Sequence, residues 1–171
     1  MMRNDKKSCN SNTKHKVSFY IYVFVFVICV SVSIFVSLKL YRVMLIQGDS
    51  MLPSYRNMQF TVLDVHSGEY SYGDVIAFKS ESLKTVIVKR IVACPGDSVQ
   101  IVDGKLLVNG KQSTVFPESY QFEYAGLLSE KTELGEGMFF VIGDNIGVSK
   151  DSRYPEIGNI SEKDIIGKIC K

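Results

Sequence analysis

Two patterns of apolar residues divide the chain. From Val17 to Leu38 there are 22 consecutive residues without a charge, rich in Val, Ile and Phe. At about 1.5 Å of rise per helical residue, such a run covers the roughly 30 Å hydrocarbon core of a bilayer, and it predicts a transmembrane helix. From Met44 onward the pattern changes to short apolar runs rich in β-branched and aromatic residues, cut by Gly, Pro, Asn and Asp. These predict strands over Met58–Val65, Asp74–Phe78, Thr85–Cys94, Ser98–Val102, Lys105–Val108, Gly137–Ile142 and Ile165–Ile169. Asp103-Gly104 is a two-residue hairpin signal, and Asn109-Gly110 marks a further turn. Residues 111–136 are weakly patterned and read as loop with a short strand or helix. The fold class is mostly β: a single N-terminal transmembrane helix followed by a compact β-rich domain.

Charge orients this arrangement. Arg3, Lys6, Lys7, Lys14 and Lys16 precede the apolar run, whereas Lys39 and Arg42 follow it. The excess of basic residues before the helix predicts a cytoplasmic N-terminus. The boundaries are a cytoplasmic basic tail 1–16, a membrane helix 17–38 and an extracytoplasmic domain 39–171, as expected of a single-pass protein of the plasma membrane. A cleaved signal peptide would share the basic start, but its apolar region is about 7–15 residues and ends in a small-x-small site. This run is longer and ends in Lys39 with no Ala-x-Ala. The formal net charge of +2 comes with no basic stripe, so no nucleic-acid partner is expected. Cys94 and Cys170 fall on the outer side, either as a disulfide or as two small semi-buried hydrophobes; two cysteines so far apart give no spacing framework, which favours the second reading.

Three stretches carry candidate chemistry. In Ile46-Gln47-Gly48-Asp49-Ser50-Met51-Leu52-Pro53, a serine sits in a tight Gly-Asp turn closed by proline. A serine hydroxyl needs a positioned base and an oxyanion donor before it becomes a nucleophile. Lys89 stands in the middle of an apolar strand, where a charge is costly unless it is paired or neutralised. Burial that moved its pKa from about 10.4 to near 8 would cost roughly 3 kcal/mol and leave an amine able to take a proton. Strand alternation sends one of Lys89 and Arg90 inward and the other outward. The loop Gly143-Asp144-Asn145-Ile146-Gly147-Val148-Ser149-Lys150-Asp151-Ser152-Arg153 follows a buried strand, a common place for functional groups. By itself it also fits a polar turn that satisfies its own backbone.

Together these stretches resemble the type I signal peptidases, membrane-anchored serine proteases with a Ser/Lys dyad. Gly48-Asp49-Ser50-Met51-Leu52-Pro53 looks like the nucleophile box of that family, and Tyr72-Gly73-Asp74-Val75-Ile76-Ala77-Phe78 like its small Gly-Asp strand motif. Val88 to Asp97 resembles the lysine box, and Gly143 to Arg153 the last box, in order and spacing. The resemblance implies a signal-peptidase-type catalytic domain that removes signal peptides from exported preproteins and needs no cofactor or metal. It assigns Ser50 as nucleophile, Lys89 as general base, and the Ser50 backbone N–H as oxyanion donor. Some relatives add a serine hydroxyl where this chain has Gly48. Ser149 would hydrogen-bond the lysine amine, Asp144 would pair with Arg90, and Asp151 with Arg153. Ile46, Met51 and Val88 would line shallow pockets for small substrate residues at −1 and −3. Ser54, Cys94, Ile146 and Val148 depart from the usual pattern without removing a catalytic group. Met44, Leu45, Ile46, Met51, Leu52 and Phe60 would keep the active-site face at the lipid surface.

Two other readings compete. A Ser/His/Asp hydrolase would have to use His66, in a turn-like setting, because His15 lies on the predicted cytoplasmic side. No His/Cys/Asp/Glu cluster has metal-ligand spacing. The other reading, a signal-peptidase-like protein dedicated to surface pilins or serving as a non-catalytic pilus assembly factor, would bring a pilin or secretion-machinery partner. Non-catalytic members of that kind typically lack the serine or the lysine, and this chain keeps both.

Overall fold

A computed structural model of the protein describes residues 9–170. Of the expected basic tail, residues 1–8, with Arg3, Lys6 and Lys7, lie outside the described residues. The chain divides into two compact units at Leu40/Tyr41.

The first unit is one helix, α1 (Cys9–Leu40), which starts ahead of the apolar run because polar residues continue it toward the N-terminus. Its segment Lys16–Ser37 has a mean hydropathy of 2.7, and none of that segment is buried. A helix apolar all round its circumference matches a membrane span in length and composition.

The second unit contains two antiparallel sheets. The larger has seven strands in the order β1 (Tyr41–Leu45), β2 (Phe60–Asp64), β11 (Ile165–Ile169), β3 (Val75–Ser80), β4 (Thr85–Ala93), β9 (Met138–Ile142) and β10 (Ile160–Ser161). The smaller has four, in the order β7 (Lys111–Gln112), β6 (Lys105–Val108), β5 (Ser98–Val102) and β8 (Thr132–Glu133). Asp103 and Gly104 both take positive φ (49° and 74°), the backbone that a tight two-residue hairpin needs.

Three differences from the sequence reading have local causes. β1 was not anticipated, because Tyr41-Arg42-Val43 continues directly from the membrane segment; it pairs with β2 from Tyr41 opposite Asp64 to Leu45 opposite Phe60. The second strand starts at Phe60 and not Met58, since Met58 sits in the left-handed region at φ 61°. The lipid-facing set needs correction as well. Ile46 and Met51 are core residues, joined by Leu63, Val75, Ala77, Val88 and Ile169, while the exposed apolar side chains of strands β1 and β2 are Tyr41, Val43, Phe60 and Val62. Alternation decides this, because odd positions of β1 point away from the core.

The central strands are covered on both sides, which explains their continuous apolar runs. Along β9, Phe140 and Ile142 enter one cluster with Val99, Leu106 and Phe122, while Phe139 and Val141 enter another with Ile76, Phe78 and Ile91. The weakly patterned 111–136 segment forms β7, a 3-10 turn at Gly126–Ser129 and β8, and it contributes Phe116, Phe122, Leu128 and Leu134 to the first cluster.

Candidate active site

The loop between β1 and β2 is closed at its base by two backbone bonds, Ile46 N–H to Gln59 O at 2.9 Å and Met58 N–H to Ile46 O at 2.8 Å. Gly48 turns the chain at φ 87°, and its N–H donates to Asn57 Oδ1 at 2.9 Å. Met51, 1% exposed, anchors the turn in the core. Ser50 is therefore held half-exposed beside a fixed neighbour. Asn145 fastens the turn from the opposite loop: its N–H donates to Ser50 O at 3.0 Å and its side-chain amide to Asp49 O at 3.1 Å. The sequence reading quoted Asn145 within a motif but gave it no role; its position directly after Asp144 was the available signal.

Lys89 comes from the middle of β4, opposite Ile76 of β3, and is 3% exposed. Its Nζ donates to Ser50 Oγ at 2.7 Å and to Val88 O at 3.1 Å. Burial lowers its pKa from the ordinary 10.5 to about 8; the carboxylates of Asp151 and Asp144 oppose that shift and the Arg153 guanidinium adds to it. The nucleophile candidate and the base candidate thus meet at hydrogen-bonding distance.

The neighbouring Arg90 is half-buried and points to another partner. Its Nε and Nη2 grip the two carboxylate oxygens of Asp144 at 2.7 and 2.5 Å, and its Nη1 donates to Gly73 O at 2.8 Å. The bidentate fork fixes the start of the loop after β9 against β4. Further along, Arg153 is 2% exposed and Asp151 fully buried. Arg153 binds both Asp151 oxygens, at 2.8 and 3.0 Å, and also donates to Ile146 O at 2.8 Å and Ser149 O at 3.2 Å. Asp151 in turn accepts from Gly143 N–H at 3.1 Å. Both expected ion pairs are present.

The expected bond from Ser149 to Lys89 is absent. Ser149 is 2% exposed, yet its Oγ has no hydrogen-bond partner among the described residues. The hydroxyl lies instead against the bare face of Gly143, where a Cβ would stand only 2.2 Å from it. Ile46, Met51 and Val88 form one buried cluster. His66 is exposed in the turn after β2, its backbone N–H bound to Asp64 Oδ1. No group of three His, Cys, Asp or Glu among the described residues is placed to hold a metal ion. Cys94 and Cys170 are both free, Cys94 half-buried and Cys170 exposed.

Comparison with known proteins follows the same line. Residues 18–170 match the family model described as signal peptidase, peptidase S26. The chain is 31% identical over 141 residues to signal peptidase I P of Bacillus subtilis subsp. natto, covering 75% of this chain and 74% of that protein. It is 32% identical over 144 residues to signal peptidase I U of Bacillus subtilis (strain 168), covering 77% and 75% respectively. A solved signal peptidase I from Enterococcus faecalis V583 superimposes with a TM-score of 0.46 at 26% identity, over 60% of this chain and 97% of that one. The family match and the two Bacillus relatives define a class, the serine endopeptidases. Within it, the chain belongs to the signal peptidase family, peptidase S26, whose substrates are preproteins carrying signal peptides.

Proposed function

We propose that this protein removes signal peptides at the outer face of the plasma membrane by a Ser50/Lys89 dyad, cutting after small residues at −3 and −1. The observation that carries the reading is the 2.7 Å contact between Ser50 Oγ and a buried lysine amine whose pKa falls to about 8. In its neutral form Lys89 takes the Ser50 proton as Oγ attacks the carbonyl of the −1 residue. The oxyanion accepts from the Ser50 N–H. As the acyl-enzyme forms, the Lys89 ammonium passes its proton to the departing amine. The neutral amine then activates water to release the signal peptide and regenerate Ser50.

The edge of β4 supports the substrate's position. β3 pairs with this strand along Thr85–Arg90, whereas β9 reaches only Arg90, Ile91 and Ala93. On that side Val86 and Val88 turn backbone groups away from β3 with no strand opposite them, a short template for an extended peptide, the Val88 carbonyl being shared with Lys89 Nζ. In such a peptide, residues −1 and −3 face the same way. Ile46, Met51 and Val88 then form the floor that limits side-chain size.

The domain boundaries belong to the same proposal: tail 1–16 in the cytoplasm, helix 17–38 across the bilayer and residues 39–171 outside, as the basic residues before the helix favour. Sharing one bilayer with the preprotein raises the effective concentration of its cleavage site.

The test is cleavage of a preprotein whose signal ends in Ala-x-Ala by the detergent-solubilised full chain, beside Ser50→Ala and Lys89→Ala. Cutting after the second alanine by the wild type, with both folded variants inactive, is the expected result. Activity retained in either variant overturns the dyad.

A further inference from the structure

A groove of about 420 Å³ opens beside Ser50 and shares no lining residue with the Ile46, Met51 and Val88 floor. One wall is Leu52 and Pro53, two and three residues past Ser50; another is Asp144, Asn145 and Ile146. Asn145 is the residue that binds the Ser50 and Asp49 carbonyls. The groove is thus continuous with the nucleophile's own turn.

Its third wall is Ser119-Tyr120-Gln121, from the segment that the sequence left without a role. This wall is built, not draped. Tyr120 N–H donates to Pro117 O at 2.9 Å and Phe122 N–H to Gly104 O at 2.9 Å, while Lys105 Nζ reaches the carbonyls of Glu118 and Tyr120. The Tyr120 ring stacks on buried Phe116, centroids 5.7 Å apart, and Phe122 is buried beside them. The small sheet therefore holds Ser119 and Tyr120 in place opposite Leu52 and Pro53.

A peptide whose −3 and −1 residues lie along β4 and whose scissile carbonyl stands over Ser50 must continue past that residue. Leu52 and Pro53, just past Ser50 in the chain, and Asn145, bound to the Ser50 carbonyl, offer it a surface that the −1 and −3 floor does not use. We propose that this groove receives the first residues of the mature chain, those following the cut, and selects uncharged side chains there. The proposal rests on the Ser50/Lys89 reading above. Its lining supplies the selectivity: Leu52, Pro53, Ile146 and the Tyr120 ring are apolar, and the one carboxylate, Asp144, is already held by both arms of Arg90. No free charge remains in the groove to pair with a charged substrate residue.

The test uses the solubilised full chain and three peptides identical through −1, with neutral, acidic or basic residues at +1 to +3. Ser119 is exposed at the rim, so Ser119→Lys and Ser119→Glu alter charge without disturbing the core. At low ionic strength, Ser119→Lys is expected to raise kcat/KM for the acidic peptide relative to the basic one about fivefold, the size of a solvated charge pair at close range. Ser119→Glu shifts the ratio the other way, and 0.5 M salt, roughly a 4 Å screening length, shrinks both shifts toward unity. An unchanged acidic-to-basic ratio in both variants, with the wild type still cutting after −1, overturns the groove assignment and leaves the dyad standing. A wild type that cuts none of the peptides, or a Ser50→Ala variant that cuts them all, overturns the underlying reading of the site.

Discussion

Gly143 and Ser149 touch so closely that a methyl group on Gly143 would stand 2.2 Å from the Ser149 hydroxyl and 2.5 Å from the Ser50 carbonyl oxygen. Neither neighbour can retreat easily. The Ser50 carbonyl is held by Asn145 N–H at 3.0 Å, and the Ser149 peptide is pinned by its own N–H to Asn145 O and by Arg153 at its carbonyl. Gly143→Ala should therefore displace the Ser50 turn, cutting kcat at least tenfold for a stability loss of about 1–3 kcal/mol, the usual cost of overpacking. Cleavage kinetics beside a thermal melt check this; a variant of full activity would show that the turn tolerates the shift.

Activity should rise with pH. As the proposed base, Lys89 would have to be neutral to accept the serine proton, and burial brings its pKa down to about 8. Below that value kcat/KM is expected to fall about tenfold per pH unit. A profile flat from pH 6 to 9 would exclude Lys89 as the titrating base.

The same lysine should reduce stability. Its folded pKa of about 8 lies below the ordinary 10.5, so the folded protein binds the proton less tightly than the unfolded chain does. Below pH 8 both states are protonated and the full cost of burying the ammonium is present, about 3 kcal/mol for a shift of this size. Between pH 8 and 10.5 that cost declines as pH rises, and above 10.5 it is gone. Lys89→Met is expected to be inactive yet more stable than wild type at pH 7, with the difference shrinking as pH climbs toward 10. Denaturation at pH 7 and pH 10 measures it.

Asp151 and Arg153 form the most deeply buried ion pair among the described residues, at 0% and 2% side-chain exposure. Removing either partner strands the other, so Asp151→Ala should cost about 3–5 kcal/mol. Arg153→Lys should not rescue the site, since one ammonium cannot serve the two Asp151 oxygens and the carbonyls of Tyr124, Ile146 and Ser149 together. Chemical denaturation of both variants decides the point.

The long runs were legible in sequence because length and pattern agree. Thr85–Ala93 is apolar apart from Thr85, Lys89 and Arg90, and it runs between β3 and β9 in the larger sheet, its second half packed on both faces. The Asp103-Gly104 hairpin was legible because only a few residue pairs accept positive φ twice. β10 escaped notice and β7 and β8 were expected only as a short strand or helix somewhere in 111–136, since two residues carry no periodicity and are strands only because β9, β6 and β5 lie beside them. The Ser50–Lys89 contact spans 39 positions and was legible only through the motifs around each residue. The direction of the Ser149 hydroxyl was not legible, because it depends on how closely one loop packs on Gly143.

Burial also makes the base conditional. Lys89 loses its ordinary basicity only once β3, β4 and the Gly143–Arg153 loop have closed around it. Before that point the chain carries an everyday lysine and an everyday serine, as harmless as any others in the cell. On the proposed mechanism, a copy in which these elements have not closed is silent without needing an inhibitor to keep it so.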